Sequence, residues 1–135
     1  MTPERIRFKL REARFFLDSL KRDLPSLARH DPEVIEYYVS AFLNAMHSAH
    51  DSLRKYRPDP LVHLSKDDSD HVRRMRDRRN VESHELTQME QTEEGVEEGV
   101  APVALLRFID GPREVVVDAC ERYWALMKQP ADGLK

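Results

Sequence analysis

The sequence has few cysteines and glycines and no long apolar segment. Its one cysteine, Cys120, excludes an internal disulfide and a cysteine-based zinc cluster. Its four glycines do not form a glycine-rich phosphate loop. No segment approaches the roughly 20 apolar residues that a membrane span needs, and the charged start MTPERIRFKL is unlike a signal peptide. These absences favour a single cytoplasmic domain with no membrane partner.

Charge is plentiful but nearly balanced. Charged residues make up 35% of the 135 residues, and the formal net charge is −3. Residues 1–79 carry 17 basic and 13 acidic side chains, whereas residues 80–135 carry 5 and 12. The balance argues against a protein that coats nucleic acid indiscriminately. It leaves room for one local anion-binding groove, because five arginines lie between Arg73 and Arg79.

Two long helices are predicted at the start of the chain. Thr2-Pro3-Glu4 is a helix start signal, and Asp31-Pro32-Glu33 repeats it. Apolar residues then recur three and four positions apart, which predicts one core-facing side for each helix and, given the short connection, an antiparallel pair. Those residues are Ile6, Leu10, Ala13, Phe16, Leu17, Leu20 and Leu24, then Val34, Tyr37, Tyr38, Ala41, Phe42, Ala45, Met46, Ala49 and Leu53.

The remainder predicts a third helix, a linker, a β-hairpin and a last helix. The third helix is expected from about residue 70 to 91, and the acidic segment 92–101 has no packing face and is interpreted as a linker. Two β-prone runs, 102–108 and 113–117, flank Asp110-Gly111 and predict a hairpin. The fold class is therefore mainly α: one domain with a helical bundle over 2–91, and the hairpin and final helix over 102–129.

The third helix carries the residues most suggestive of function. Val72, Met75, Leu86 and Met89 form a core-facing line that Arg79 and Glu82 interrupt. A buried arginine is costly unless it is paired, so Arg79 is expected at the edge of the bundle. A second line is wholly polar and contains Arg73, Arg76, Asp77, Asn80 and His84. Arginine, amide and imidazole groups together are suited to holding a phosphate and moving a proton near it.

The second helix also has a polar side. Asn44, Ser48 and Asp51 share one line and are expected to face the same groove as the third helix. His47, His50 and Asp51 have the residue types of metal ligands, but a complete site needs a third ligand and supporting groups, so no metal is expected. For both helices, a solvated face with salt bridges is the simpler interpretation, and composition alone favours it. Five aromatic residues, Tyr37, Tyr38, Phe42, Tyr123 and Trp124, are expected in the core, and His30, His63 and His71 at the surface.

Arg79-Asn80-Val81-Glu82-Ser83-His84 resembles the signature of the HEPN superfamily, in which Arg and a polar residue, often Asn, precede a His by a few positions. Segments 12–20 and 37–53, and the hairpin with the last helix, extend the resemblance over most of the chain. Arg78 and Ser83 stand where HEPN motifs commonly have apolar residues. The resemblance implies an up-down helical bundle with the small hairpin before its last helix.

The resemblance also implies a function, namely metal-independent RNA cleavage in a toxin or defence system. His84 would act as general acid or base, Arg79 would stabilise charge on the phosphoryl group, and Asn80 would orient the His or the phosphate. His47 would be a secondary phosphate contact beside Arg73 and Arg76. Each chain has one motif histidine, while the reaction needs an acid and a base, so a homodimer with a composite site is expected. No cofactor is implied, and an antitoxin protein is a possible partner.

Two other classes of function remain open. One is a non-catalytic module that binds a nucleotide or nucleic acid through the arginine groove. The other is a protein-interaction subunit, for which the seven glutamates of residues 82–98 would form a docking strip.

Overall fold

A computed structural model describes residues 2–57, 60–82, 89–94, 103–108 and 114–134. The elements in these ranges are α1 (Pro3–His30), α2 (Pro32–Tyr56), α3 (Lys66–Glu82), β1 (Met89–Glu94), β2 (Val103–Phe108) and α4 (Val116–Asp132). The predicted mainly α class is confirmed. Within the described ranges, no helix is long and apolar enough to cross a membrane.

Helices α1 and α2 pack against each other and are joined by one residue, Asp31. The Thr2 side chain accepts a hydrogen bond from the Arg5 backbone N–H, which caps α1 as its sequence predicts. Pro25 lies inside α1 and does not end it. The helix continues because Leu24 and Leu27, on either side of the proline, pack against the core.

The core is formed chiefly by the apolar sides of α1, α2 and α4. Most of the predicted core residues of α1 and α2 are buried, and α4 adds Tyr123 and Met127. Tyr37 is an exception: it was expected in the core but is 60% exposed. The apolar side of α2 instead runs through Ile35 and Val39, two residues to either side of it.

The two strands differ from the predicted hairpin. Val103–Phe108 is a strand as expected, but it pairs antiparallel with Met89–Glu94, with Met89 opposite Phe108. Residues 92–94, predicted as linker, thus belong to β1, and 95–102 lie outside the described residues. The glutamates of β1 suit a strand at the edge of a sheet, where charged side chains are common and the neighbouring strand supplies the backbone hydrogen bonds.

The predicted second arm, residues 113–117, contributes one isolated bridge, between Val115 and Arg107. Val116 already begins α4 and is fully buried, so its packing on a helical side outweighs the β-propensity of the valine run. The turn residues 109–113 lie outside the described residues.

Helix α3 does not extend to about residue 91 as predicted. Its bounds are Lys66–Glu82, and residues 83–88 lie outside the described residues. Met89, expected on its core-facing line, begins β1 and is paired with Phe108 of β2 instead. Val72 and Met75 of that line are buried as expected.

Helix α4 closes the bundle by packing on α1. The Trp124 Nε1–H donates to the backbone carbonyl of Leu10 at 2.9 Å. Arg14 contacts both oxygens of Glu121, at 2.6 and 2.9 Å, and its guanidinium lies 5.1 Å from the Trp124 ring centroid. These contacts fix the end of the chain against its beginning and leave one side of α2 available to α3.

Candidate functional site

Polar side chains of α2 and α3 meet in what we call the α2–α3 groove, formed by Asn44, His47, Asp51, Arg76 and Arg79. The Arg79 Nε–H donates to Asn44 Oδ1 at 3.0 Å. One turn earlier on α3, Arg76 Nη2 donates to Asp51 Oδ1 at 3.3 Å. Because Asn44 and Asp51 are seven residues apart on α2, the two contacts hold the arginines side by side along one face.

His47 lies between the two contacts on α2. Its Nε2 is 3.1 Å from Asp51 Oδ2, and its Nδ1 is buried without a hydrogen-bond partner in the described part of the chain. Burial lowers the pKa of His47, Asp51 acts to raise it, and Arg79 and Arg76 lower it further. The imidazole is therefore neutral at neutral pH. Ser48 is half-buried beside it.

Of the predicted site residues on α3 whose side chains are described, Arg76 and Arg79 hydrogen-bond to α2. Arg73 lies at the surface and pairs with Asp70 at 3.5 Å. Asn80 is within α3, but its side chain lies outside the described residues, as does His84. The groove thus joins the arginines of the predicted site with Asn44, His47 and Asp51, and the relation of His84 to them stays a prediction.

Comparisons with family models, curated proteins and solved structures found no match. The HEPN resemblance therefore stays a prediction, and the function is argued from the site. Within the described ranges, no group of three or more His, Cys, Asp or Glu side chains could hold a metal ion. The groove sets two arginines, Arg76 and Arg79, against one carboxylate, Asp51, so its excess positive charge favours an anion over a cation.

The buried arginine of α3 is Arg78, whose neighbour Arg79 is half-buried. Arg78 is 3% exposed and its guanidinium lies 4.0 Å from the Phe108 ring centroid. Its Nη1 donates to Glu114 Oε2 at 2.9 Å, and Arg74 donates to Glu114 Oε1 at 2.7 Å. Pairing with a carboxylate and stacking on an aromatic ring offset the cost of burying a guanidinium.

His71 belongs to the same buried cluster, although it was predicted at the surface. It is 1% exposed, and its Nε2 lies 2.9 Å from the carbonyl oxygen of Ala119. Because a carbonyl accepts, Nε2 carries the proton, and Nδ1 is left to accept from Arg74 at 3.4 Å. Burial lowers the pKa of His71, so the ring is neutral at neutral pH. The contacts of His71 are structural.

A signal for this cluster is present in the sequence. His71, Met75 and Arg78 are spaced i, i+4 and i+7, which places them on one side of a helix. Val72 and Met75 define the same side, so the inward-facing arginine is the one at 78. Cys120 is also buried, which raises the pKa of its thiol and makes it a poor nucleophile.

Proposed function

We propose that this chain is a HEPN-like protein that acts on RNA, with the α2–α3 groove holding a phosphate of the backbone and Arg79, Asn80 and His84 cleaving it without a metal. The observation that carries the proposal is the pairing of Arg79 with Asn44 beside the pairing of Arg76 with Asp51. Two arginines held side by side by groups on a neighbouring helix form a preorganised phosphate site.

The reaction assigned to the site is an internal transesterification of RNA, in which the phosphate ester bond moves from a 5′-oxygen to a 2′-oxygen. A general base takes the proton of a ribose 2′-OH, and the 2′-oxygen attacks the adjacent phosphorus. The bond to the 5′-oxygen of the next nucleotide breaks, and a general acid protonates that oxygen. In this scheme His84 serves as acid or base, and Arg79 stabilises the charge that develops on the phosphoryl oxygens.

The acid and the base are two groups, and the motif supplies one histidine per chain. A homodimer that brings two motifs to one phosphate would supply both. His47 is neutral and its Nε2 lies against Asp51, so Arg76 and Arg79 carry the positive charge of the groove.

The position of Arg78 also supports the proposal. HEPN motifs commonly have an apolar residue before the motif arginine, and Arg78 departs from that pattern. Its side chain is buried, stacked on Phe108 and bonded to Glu114, as befits an interior position. The departure therefore leaves Arg79 at the edge of the bundle, where it can reach a substrate.

The test is RNA cleavage in the presence of EDTA. We expect the wild-type chain to cleave, and His84→Ala to lose about 10²–10⁴-fold in rate, the usual contribution of a general acid or base. Arg79→Ala should lose about 10²–10³-fold, because it removes a preorganised donor to the developing charge. Asn44→Ala should lose less, since Arg79 keeps its charge but not its orientation.

The matched control is His30→Ala, because His30 is an exposed histidine at the end of α1, away from the groove. This variant should cleave at the wild-type rate. Equal cleavage by the wild type and by the His84 and Arg79 variants, or no cleavage by any of them, would sink the nuclease assignment.

A second candidate is a module that binds nucleotide or nucleic acid without turnover. The groove supports this candidate, because the arginines held by Asn44 and Asp51 would bind a phosphate whether or not the bound nucleic acid is cleaved. This candidate predicts that the protein binds RNA without producing cleavage products. The affinity should fall as the salt concentration rises, as expected when arginines neutralise phosphates.

A further inference from the structure

A cleft adjoins the α2–α3 groove where the C-terminal half of α2 and the N-terminal half of α3 meet residues 60–64. Its volume is about 670 Å³, within the range of sites for small ligands. The charged residues that line it are Arg54, Lys66, Asp70, Arg73 and Arg76. Four cations therefore face one carboxylate.

The positive charge of the cleft is only partly neutralised. Asp70 pairs with Arg73 at 3.5 Å, and Arg76 pairs with Asp51 outside the cleft. Arg54 and Lys66 have no ion pair within the described part of the chain. Arg54 belongs to α2 and Lys66 to the first turn of α3. The packing of the two helices therefore brings these cations to the same cleft.

Two buried polar atoms of the lining residues lack a partner in the described part of the chain. His50 is 4% exposed, and its Nδ1 has no hydrogen bond. The Nε–H of Arg76 is also buried and unpaired. Buried polar groups are nearly always satisfied, and each that is not costs about 1–3 kcal/mol. Both atoms belong to residues that line the cleft, so the polar groups around it are not fully satisfied within the described part of the chain.

The cleft is also lined by apolar residues. They are Leu61, Val62 and Leu64 of the turn segment and Val72 of α3. Val62 is 75% exposed, more than any other large hydrophobic residue in the described ranges. The cleft thus offers both cations and an apolar surface to a ligand.

We propose that this cleft binds the terminal phosphomonoester of a nucleotide, with the phosphate between Arg54, Lys66 and Arg76 and the nucleoside against Leu61 and Val62. A phosphomonoester carries close to two negative charges at neutral pH and three acceptor oxygens. It therefore matches several convergent cations better than the single charge of a backbone diester does. The guanidinium of Arg54 and the ammonium of Lys66, both exposed in the cleft, donate to phosphate oxygens.

This site adjoins the proposed cleavage site and shares Arg76 with it, but the two proposals are tested separately. Cleavage requires Arg79, which is not among the described residues that line the cleft, and His84, which lies outside the described residues. AMP binding without RNA cleavage would uphold this inference and overturn the nuclease assignment. Cleavage without AMP binding would do the reverse.

The experiment is calorimetric titration of the full chain, in phosphate-free buffer with EDTA, with AMP and with adenosine. AMP should bind, and adenosine should bind at least tenfold more weakly because it lacks the phosphate. A pair of RNA oligonucleotides, 5′-phosphorylated and 5′-hydroxyl, separates the two sources of the phosphate. Preference for the phosphorylated oligonucleotide over AMP assigns the cleft to an RNA end, and the opposite preference assigns it to a free mononucleotide.

The variant Arg54→Gln/Lys66→Gln tests the cleft directly. Both residues are exposed and without ion pairs in the described ranges, so the fold should survive. We expect the Kd for AMP to rise at least about tenfold, since charged hydrogen bonds are lost. The control Lys55→Gln/Arg57→Gln removes the same charge from neighbouring exposed positions that do not line the cleft, and it should bind AMP within twofold of the wild type.

A second readout is the titration of His50 by NMR. Burial lowers the pKa of His50 to about 4, and the charges of Arg76 and Arg54 add to this against a smaller opposing effect of Asp51. Other charged or titratable groups nearby are His47 on α2 and Lys66, Asp70 and Arg73 of the cleft. A phosphate bound beside Arg54 and Arg76 should raise the pKa of His50.

Equal affinity for AMP and adenosine would overturn the proposal, as would wild-type affinity in Arg54→Gln/Lys66→Gln. An unmoved His50 titration at saturating AMP would place the ligand elsewhere and overturn it too.

Discussion

The Glu114 carboxylate bonds two arginines of α3, Arg74 and Arg78. Burial acts to raise its pKa, and the hydrogen bonds from Arg78 and Arg74 outweigh that effect, so the pKa lies below its ordinary value. Glu114→Gln leaves the buried guanidinium of Arg78 beside a neutral amide. We expect the free energy of unfolding, measured by urea denaturation, to fall by about 3 kcal/mol.

The variant Arg78→Met/Glu114→Gln is the control for that loss. It removes both charges, and replacing a buried ion pair with apolar groups is often neutral. It should therefore recover most of the stability that Glu114→Gln loses. A double variant as unstable as the single one would show that the charge pair is not the cause.

His50 predicts a dependence of stability on pH. Its pKa is about 4 in the folded chain against an ordinary value of 6.5, chiefly because of burial. Between these values the unfolded chain binds a proton that the folded chain does not, so this contribution to stability is full above pH 6.5 and is lost toward pH 4. From pH 7 to 4.5 it should remove about 2 kcal/mol.

Urea denaturation of the wild type and of His50→Gln at both pH values checks this. The variant should lose less stability on acidification than the wild type. Part of the loss should remain in the variant, because the pKa of His71 is also lowered. An equal loss in the two proteins would contradict the role assigned to His50.

At the scale of elements, α3 is the helix with the weakest apolar attachment. Among its described side chains, the buried hydrophobic residues are Val72 and Met75, against five on α1 and eight on α2. Polar contacts to Asn44, Asp51 and Glu114 make up the rest. We expect backbone amides of α3 to exchange with deuterium before those of α1 and α2, and faster still at high salt, which screens exposed ion pairs. Equal protection of all three helices would contradict this.

The number and spacing of apolar residues in an element also decide whether the sequence could predict it. Helices α1 and α2 were predictable because their apolar residues follow a helical period and their caps are explicit. Strand β1 was not, because a glutamate-rich edge strand owes its conformation to its neighbour β2. For the site, residue spacing placed Asn44, Asp51, Arg76 and Arg79 on facing helices. Spacing also places Arg78 on the inward side of α3 with Val72 and Met75, but it could not identify Glu114, 36 residues away, as its partner.

At the scale of the whole molecule, the proposed nuclease needs two copies of the chain. Wild type and His84→Ala, unfolded together in equal amounts and refolded, should exchange partners at random. If each site needs a histidine from both chains, only wild-type pairs are active, and the rate per wild-type chain should fall to about half. An unchanged rate per wild-type chain would show that each chain cleaves alone.

The single residue between α1 and α2 has a consequence for how the chain folds. Closing so short a connection costs little conformational entropy, so the α1–α2 pair can form quickly from contacts local in sequence. The hydrogen bond of Trp124 with Leu10 spans 114 residues, and that of Arg7 with Leu134 spans 127, so both close long loops between α1 and the C-terminal part of the described chain. Folding should therefore begin in the first half of the chain and be limited by the arrival of α4, which makes residues at the α1–α4 contact determinants of the folding rate.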